Sequence, residues 1–147
     1  MAITIRMGTG EDIPALISIV AEFAEFHGSS HEMSNTADRM RQEQDAFISF
    51  VAVAETGQIV GYAICFFAYY TWSWRSLYLD DLFVQEAYRG QQIGKNLLAT
   101  IVDYAKRERC QKVRWQVSRW NTPAQEFYTK FGAVIDDVEL NCDLKLS

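Results

Sequence analysis

The segment Tyr88-Arg89-Gly90-Gln91-Gln92-Ile93-Gly94-Lys95 holds the residue types from which an anion site is built. Its glycines let the backbone turn sharply and approach a ligand closely. A helix starting behind them would offer unpaired amides and the positive end of its dipole to a phosphate. Arg89 and Lys95 add positive charge in a chain whose net charge is −5, from 14 Lys+Arg against 19 Asp+Glu. Spacing separates this segment from two familiar phosphate loops. Gly90-xxx-Gly94-Lys95-Asn96 is one residue short of GxxxxGK and lacks the hydroxyl that binds Mg²⁺ in nucleoside-triphosphate sites. No GxGxxG opens a strand–helix–strand unit, so a dinucleotide fingerprint is missing. An anion site of another kind remains, beside the plainer alternative of a helix-start turn with ordinary glycines.

The elements that must position this turn are legible from periodicity. Ile3, Ile5 and Met7 alternate with Thr4 and Arg6 as in a strand, and Thr9 to Asp12 reads as a capping box. Ile13, Leu16, Ile17, Val20 and Ala24 then follow helical spacing. Residues 27–44 are polar, a loop with a short helix over 36–44 that would wall a cleft. Residues 47–55 and 59–69 read as a hairpin turned by Thr56-Gly57-Gln58, and 77–84 as a further strand. A helix over 94–109 would bury Leu97, Leu98, Ile101 and Ala105. Val113, Trp115 and Val117 alternate as in another strand. Thr122 is expected to cap a short helix with Pro123 at its first position, Ala124, Phe127, Tyr128 and Phe131 on its inner face, and Gly132 at its end. A last strand is expected beyond it. The order is that of an α+β domain around one mixed central sheet, with residues 1–147 forming a single domain.

Composition narrows the class. With 147 residues, 49% of them hydrophobic, the chain can bury a core without disulfide staples. The longest apolar run, residues 59–70, is shorter than the roughly 20 residues that cross a bilayer. Cys65, Cys110 and Cys142 form neither a CxxC knuckle nor a disulfide framework, so a reducing cytoplasm and structural thiols are expected. His27 and His31 have no acid or Cys partners at ligand spacing, and no metal is expected. The acidic balance runs against nucleic-acid binding and favours a cationic partner.

Leu82-Phe83-Val84 followed by Tyr88-Arg89-Gly90-Gln91-Gln92-Ile93-Gly94 resembles the acetyl-CoA signature of the GNAT N-acetyltransferases. Trp120-Asn121-Thr122-Pro123-Ala124, Phe127-Tyr128 and Phe131-Gly132-Ala133 resemble that family's C-terminal motif. The likeness covers nearly the whole chain. Its strand Leu77-Tyr78-Leu79-Asp80-Asp81-Leu82-Phe83-Val84 is most similar to the diamine (spermidine/spermine) branch. The resemblance implies a GNAT-like sheet whose strands splay to form the acetyl-CoA cleft. It also implies a cofactor set of Leu82, Phe83, Val84, Arg89, Gly90, Gln91, Gln92, Ile93, Gly94, Lys95, Asn121, Ala124 and Tyr128. One position departs from the family's Arg/Gln-x-x-Gly-x-Gly/Ala: Gln92 stands where a glycine is usual. Gln is tolerated there if φ is negative; a positive φ costs about 1 kcal/mol or more.

Acetyl transfer to an amine needs a neutral nucleophile, a stabilised oxyanion and a protonated leaving thiol. Drawing the free base of an alkyl amine from neutral water costs about 4.6 kcal/mol, which a carboxylate in the cleft can offset by attracting the ammonium and taking its proton. Asp80 and Asp81 are the candidates, and neighbours on a regular strand face opposite ways. Asp80 would share a face with Tyr78 and Leu82, and Asp81 the other with Leu79 and Phe83. The resemblance selects Asp80, a glutamate position in the diamine enzymes, and leaves Asp81 structural. It gives Tyr128 the role of acid toward the CoA thiolate, Asn121 the pantetheine arm, and a backbone N–H at the end of the 82–84 strand the oxyanion.

Phe26, His27, Tyr70, Trp72, Asp80 and Arg119 are the expected acceptor contacts. Tyr70 and Arg119 stand where the diamine enzymes have acids, which disfavours a long polyamine and suits an acceptor bearing its own carboxylate. The expected enzyme acetylates a primary amine of a small cationic acceptor, a diamine, polyamine or lysine-like amino acid, by direct attack. Protein, peptide or aminoglycoside acceptors, or a catalytically weak CoA-binding module, are the alternatives. Tyr69, Tyr70, Trp72 and Trp74 would bracket a cation or cover a homodimer contact.

Overall fold

Alternating and β-branched segments become five strands in the computed structural model, which describes residues 2–146. They are β1 (Ile3–Met7), β2 (Ile48–Ala54), β3 (Ile59–Tyr70), β4 (Trp74–Val84) and β5 (Val113–Trp115). The helices are α1 (Ile13–Phe26), α2 (Ala37–Gln42), α3 (Ile93–Arg107) and α4 (Thr122–Phe131). By backbone proximity the chain divides into two units, the first ending at Gln116 and the second beginning at Val117.

In the first unit the sheet order is β1-β2-β3-β4-β5, antiparallel throughout except for the parallel β4–β5 pair. Cross-strand partners share a face, so Val51, Tyr62 and Phe83 turn together toward α1 and α2. With Ile13, Leu16, Ile19, Met40 and Ile64 they form one buried cluster. The opposite face belongs to α3, whose Leu97 methyl would stand 3.5 Å from a Cβ on Gly61. Leu97, Leu98, Ile101 and Ala105 are buried there, as their spacing requires.

The turn before α1 is held by one carboxylate. Asp12 accepts two hydrogen bonds from the Arg6 guanidinium, at 2.8 and 2.9 Å, and one from the Thr9 N–H at 2.8 Å. β1 is thereby tied to the start of α1. The Gly57 turn forms between β2 and β3 with φ +90.

Three expectations are corrected in detail. The strand expected over 113–117 stops at Trp115. The cap of α4 is Asn121, whose side-chain oxygen accepts the Ala124 N–H at 3.3 Å, because its carbonyl has the reach that Thr122, already inside the helix, lacks. The last strand is missing among the described residues: 133–146 contain no regular element, and Val134, Val138, Leu140, Leu144 and Leu146 are exposed. A sheet strand needs a neighbour for its backbone, and alternation by itself does not provide one.

The Arg6–Asp12 contact makes acid sensitivity calculable. Arg6, helped by Thr9, holds the buried Asp12 carboxyl down at about 2. A depressed carboxylate stabilises above its unfolded value and loses that contribution as pH falls toward the folded one. Asp12→Asn is therefore expected to cost about 1–2 kcal/mol at pH 7 in urea unfolding, a deficit that shrinks between about pH 4 and 2.

Candidate functional site

Strand β4 is where the side chains with chemistry converge. Its ladder to β3 runs Phe83↔Tyr62, Leu82↔Ala63 and Asp81↔Ile64, then jumps to Leu79↔Cys65. Asp80 is the extra residue of a β-bulge, and the bulge resets the alternation. Leu79 consequently lies on the α3 face with Cys65, whereas Asp81 joins Phe83 and Tyr62 on the α1 face. Tyr78 pairs with Phe66, its ring stacked at 5.1 Å. The expected sharing of faces by Tyr78, Asp80 and Leu82, and by Leu79 and Asp81, is thus overturned. Strict alternation fails where one residue is inserted.

The second strand neighbour of β4 ends at the same place. The parallel register to β5 is Leu77↔Val113, Tyr78↔Arg114 and Leu79↔Trp115, and no further pair is recorded among the described residues. From Asp81 to Val84 the strand continues its ladder to β3 beyond the end of its ladder to β5. At its far end Arg89 Nε donates to the Val84 carbonyl at 3.0 Å. That bond holds the guanidinium over the rings of Phe26 and Phe83, at 4.8 and 5.5 Å from their centroids.

Behind Arg89 the chain turns with Gly90 at φ +83 and enters α3 through Gln92 at φ +65. The first backbone bond of the helix runs from the Asn96 N–H to the Gln92 carbonyl, so the amides of Ile93, Gly94 and Lys95 precede it. Amides at the head of a 15-residue helix, a glycine turn and two cationic side chains suit an anionic group such as a pyrophosphate. Leu82, Phe83, Val84, Arg89 and the 90–95 turn are contiguous here. Asn121, Ala124 and Tyr128 belong to the second unit. Asn121 and Ala124 close the α4 cap there, and burial raises the Tyr128 phenol.

The acidic end is built differently. Burial raises Asp80, and burial together with the charge of Asp80 pushes Asp81 up to about 6, against the lowering effect of a Tyr62 hydrogen bond. Tyr62 Oη donates to Asp81 Oδ2 at 3.0 Å, and burial beside these carboxylates raises the phenol too. Tyr62 was missed by sequence reasoning. The available signal was a phenol in the middle of the apolar run that opens β3, since a buried Tyr hydroxyl needs a partner.

Phe26 and His27, at the end of α1, meet this group through Phe23 and Phe83: Phe23–His27 centroids are 4.4 Å apart and Phe23–Phe83 5.1 Å. Tyr70 and Trp72 do not join it. They sit at the tip of the β3–β4 hairpin, where Tyr70 lies opposite Trp74, six residues and roughly 20 Å along the strand from Asp80. Tyr70 is flanked instead by Arg114 and Lys112, at 4.6 and 5.0 Å. Arg119, in the second unit, makes an exposed 3.5 Å pair with Asp137. A separate cavity of about 450 Å³ beside α1, lined by Glu11, Glu22, Gln58 and Gln85 among others, contains none of the expected site residues.

A sequence model described as the Acetyltransferase (GNAT) family matches residues 13–133. The chain is 31% identical to mouse (Mus musculus) "Thialysine N-epsilon-acetyltransferase" over 140 residues, 88% of this chain and 82% of that one. It is 29% identical to the human "Spermidine/spermine N(1)-acetyltransferase-like protein 1" over 88% of its own length but 20% of the relative's. Among solved structures, an aminoglycoside acetyltransferase from an uncultured soil metagenomic sample, in complex with sisomicin, superposes with a TM-score of 0.83 at 20% identity. That likeness covers 99% of this chain and 97% of that one, and at this identity it is one of fold.

Gln92 is the strained point of the turn. A left-handed conformation costs a non-glycine residue about 1–2 kcal/mol, partly offset by the freedom glycine loses on folding. Gln92→Gly is expected to raise unfolding stability by about 0.5–1 kcal/mol in a urea melt. An unchanged or lower midpoint would mean that the Gln side chain compensates the strain.

Proposed function

The chain belongs to the GNAT acetyltransferase family and is an acetyl-CoA-dependent N-acetyltransferase; on that premise we propose that its acceptor is a small cationic amine, a lysine-like amino acid before a diamine or polyamine. The observation that carries this is the 31% identity to a relative named for thialysine over 88% of the chain. One residue supports the same choice. Arg119 stands where the diamine branch has an acid. The Arg119–Asp137 pair is exposed at both ends and contributes little, so a carboxylate on the acceptor can compete for the guanidinium.

On this reading Asp80 attracts the acceptor's ammonium and takes one proton, directly or through a water. Asp80 is exposed to an incoming ammonium, and the partial desolvation that raises its carboxyl makes it a somewhat better base than a free carboxylate. The electron pair freed on nitrogen forms the bond to the acetyl carbon, and the C–S bond breaks toward sulfur. A backbone N–H of the 82–84 segment serves the oxyanion. Tyr128, kept protonated by burial, gives its proton to the departing thiolate. The turn at 89–95, with Arg89 and Lys95, holds the anionic cosubstrate. The reading includes one functional domain over residues 1–147, supported by a single family match at 13–133 that spans both units. It also includes a reducing cytoplasm, consistent with Cys65, Cys110 and Cys142 being free, and a homodimer, for which Tyr69, Trp72 and Trp74 offer exposed aromatic surface. No helix among the described residues is long and apolar enough to cross a membrane.

The test is release of free thiol from acetyl-CoA across diamines, polyamines, lysine-like amino acids, aminoglycosides and short peptides. Turnover should favour the amino acids, and Asp80→Asn and Tyr128→Phe should each lower kcat/KM at least about tenfold. Arg119→Glu should move the preference toward diamines, and an unchanged ratio would remove the carboxylate argument. Acetyl-CoA binding without turnover on any acceptor would favour a CoA-binding module.

A further inference from the structure

Phe26 is the last residue of α1, and 50% of its surface is exposed. Its ring is nevertheless engaged. The guanidinium of Arg89 lies over it, 4.8 Å from the centroid, and over the Phe83 ring at 5.5 Å. The two rings come from different elements and are 6.1 Å apart, tilted by 54°. Phe83 is the fixed member of this pair, 8% exposed and stacked on Phe23 at 5.1 Å. Gln85 Nε2 donates to Glu22 Oε2 at 2.9 Å, a second tie between α1 and the end of β4. Phe26 and Arg89 are thus held to one frame.

Arg89 is exposed, and a long cationic side chain in water samples many rotamers. Its bond from Nε to the Val84 carbonyl, at 3.0 Å, fixes one corner of the guanidinium. A single bond at that corner leaves the plane free to swing about it. Ring faces supply what is missing, because their negative quadrupoles attract the cation and favour a defined placement over them. The helix adds to this: α1 has no basic residue in its last turn, and Arg89 brings a positive charge from another element to the carbonyl end of its dipole. With Nε committed to Val84, the two terminal nitrogens are the donors left for an anion, beside the amides that open α3.

We propose that Phe26 is a positioning residue on the cosubstrate side: its ring holds the Arg89 guanidinium in the orientation in which the terminal N–H groups meet the anionic part of acetyl-CoA. The proposal moves Phe26 out of the acceptor contacts expected of it, and rests on the reading of the 89–95 turn as the cosubstrate's anion site. Phe26 acts through Arg89. Its half-exposed ring is the floor on which that cation lies, at the point where the end of α1 and the turn after β4 come together.

Calorimetric binding of CoA to a double-mutant cycle tests this. Phe26→Leu keeps an apolar side chain at a half-exposed position and should weaken CoA about two- to fivefold, the size of an exposed cation–π contact. Phe26→Tyr keeps the ring face and should restore most of the affinity. In the Arg89→Gln background, Phe26→Leu should cause no further loss, since the cation that it positions is gone. In turnover the KM for acetyl-CoA should rise by the same factor in Phe26→Leu, and the KM for the amine should not follow. The proposal is overturned if the losses from Phe26→Leu and Arg89→Gln simply add, if Phe26→Tyr is as weak as Phe26→Leu, or if the amine KM rises at unaltered CoA affinity, the result for an acceptor contact. If Arg89→Gln weakens CoA and Phe26→Leu does not, the assignment of Phe26 fails and the anion turn stands. If Arg89→Gln leaves CoA affinity unchanged, the reading of Arg89 as an anion contact fails, and the role of Phe26 with it.

Discussion

A strand with neighbours on both sides is committed along both edges, and β4 escapes this at one point. Its antiparallel ladder to β3 runs from Trp74 to Val84, but its parallel ladder to β5 spans Leu77 to Leu79 alone. The inserted residue, Asp80, stands where the second ladder stops. A bulge adds local twist and bends the strand that carries it. The bend and the end of the β5 ladder therefore coincide, while the ladder to β3 continues to Val84 and holds the sheet together. The packing on both sides pins this geometry. Leu77 and Leu79 are buried on the α3 face, and Phe83 on the α1 face, so β4 cannot slide by one residue to remove the bulge without turning these side chains out of their cores.

The turn that follows accepts strain to reach α3 at the required angle. Gly90 takes its positive φ at little cost, but Gln92 does so as the residue that caps the helix, and its side chain makes no capping bond. The surrounding packing imposes the conformation. Ile93 and Leu97 are buried from the first turn of α3 onward, and Arg89 is fastened to the Val84 carbonyl. With both ends of so short a link fixed, the backbone between them has few solutions. A β-branched residue at 92 would meet them less readily than Gln does.

Most of the fold was legible because the local signals agreed. The β1 alternation, the Gly57 hairpin turn, the α3 stripe and Gly132 at the end of α4, φ +115, all fall where composition places them. The turn at 88–95 could also be located, since glycines and cations next to a helix start form a local pattern. What could not be read was non-local. Whether Gln92 takes a positive φ depends on where β4 and α3 are fixed in space. The facing of Asp80 and Asp81 depends on a register jump between two strands, and periodicity within β4 has no means of announcing it. Tyr62 as the partner of Asp81 lies 19 positions away and is found only when β3 and β4 are paired. The α4 cap was misjudged for a smaller reason: Asn121 and Thr122 are both good capping residues, and Pro123 fits either the first or the second helical position.

Charge along the last part of β4 divides by sign. Asp80 and Asp81 lie at one end, and Arg89, tied to the carbonyl of Val84, at the other. Four residues of extended chain separate Asp80 from Val84, roughly 13 Å, which exceeds the Debye length of about 8 Å at physiological salt. Opposite charges at that spacing do not cancel in water, and each end keeps its own field. An anion and a cation would thus be attracted to different ends of the same short segment rather than compete for one. The arrangement also explains why an overall charge of −5 is compatible with binding an anion. Recognition of an anion depends on the potential within a Debye length of it, and around the 89–95 turn Arg89, Lys95 and the α3 amides are positive. Between the two fields lie the residues of β4 beyond the end of its ladder to β5.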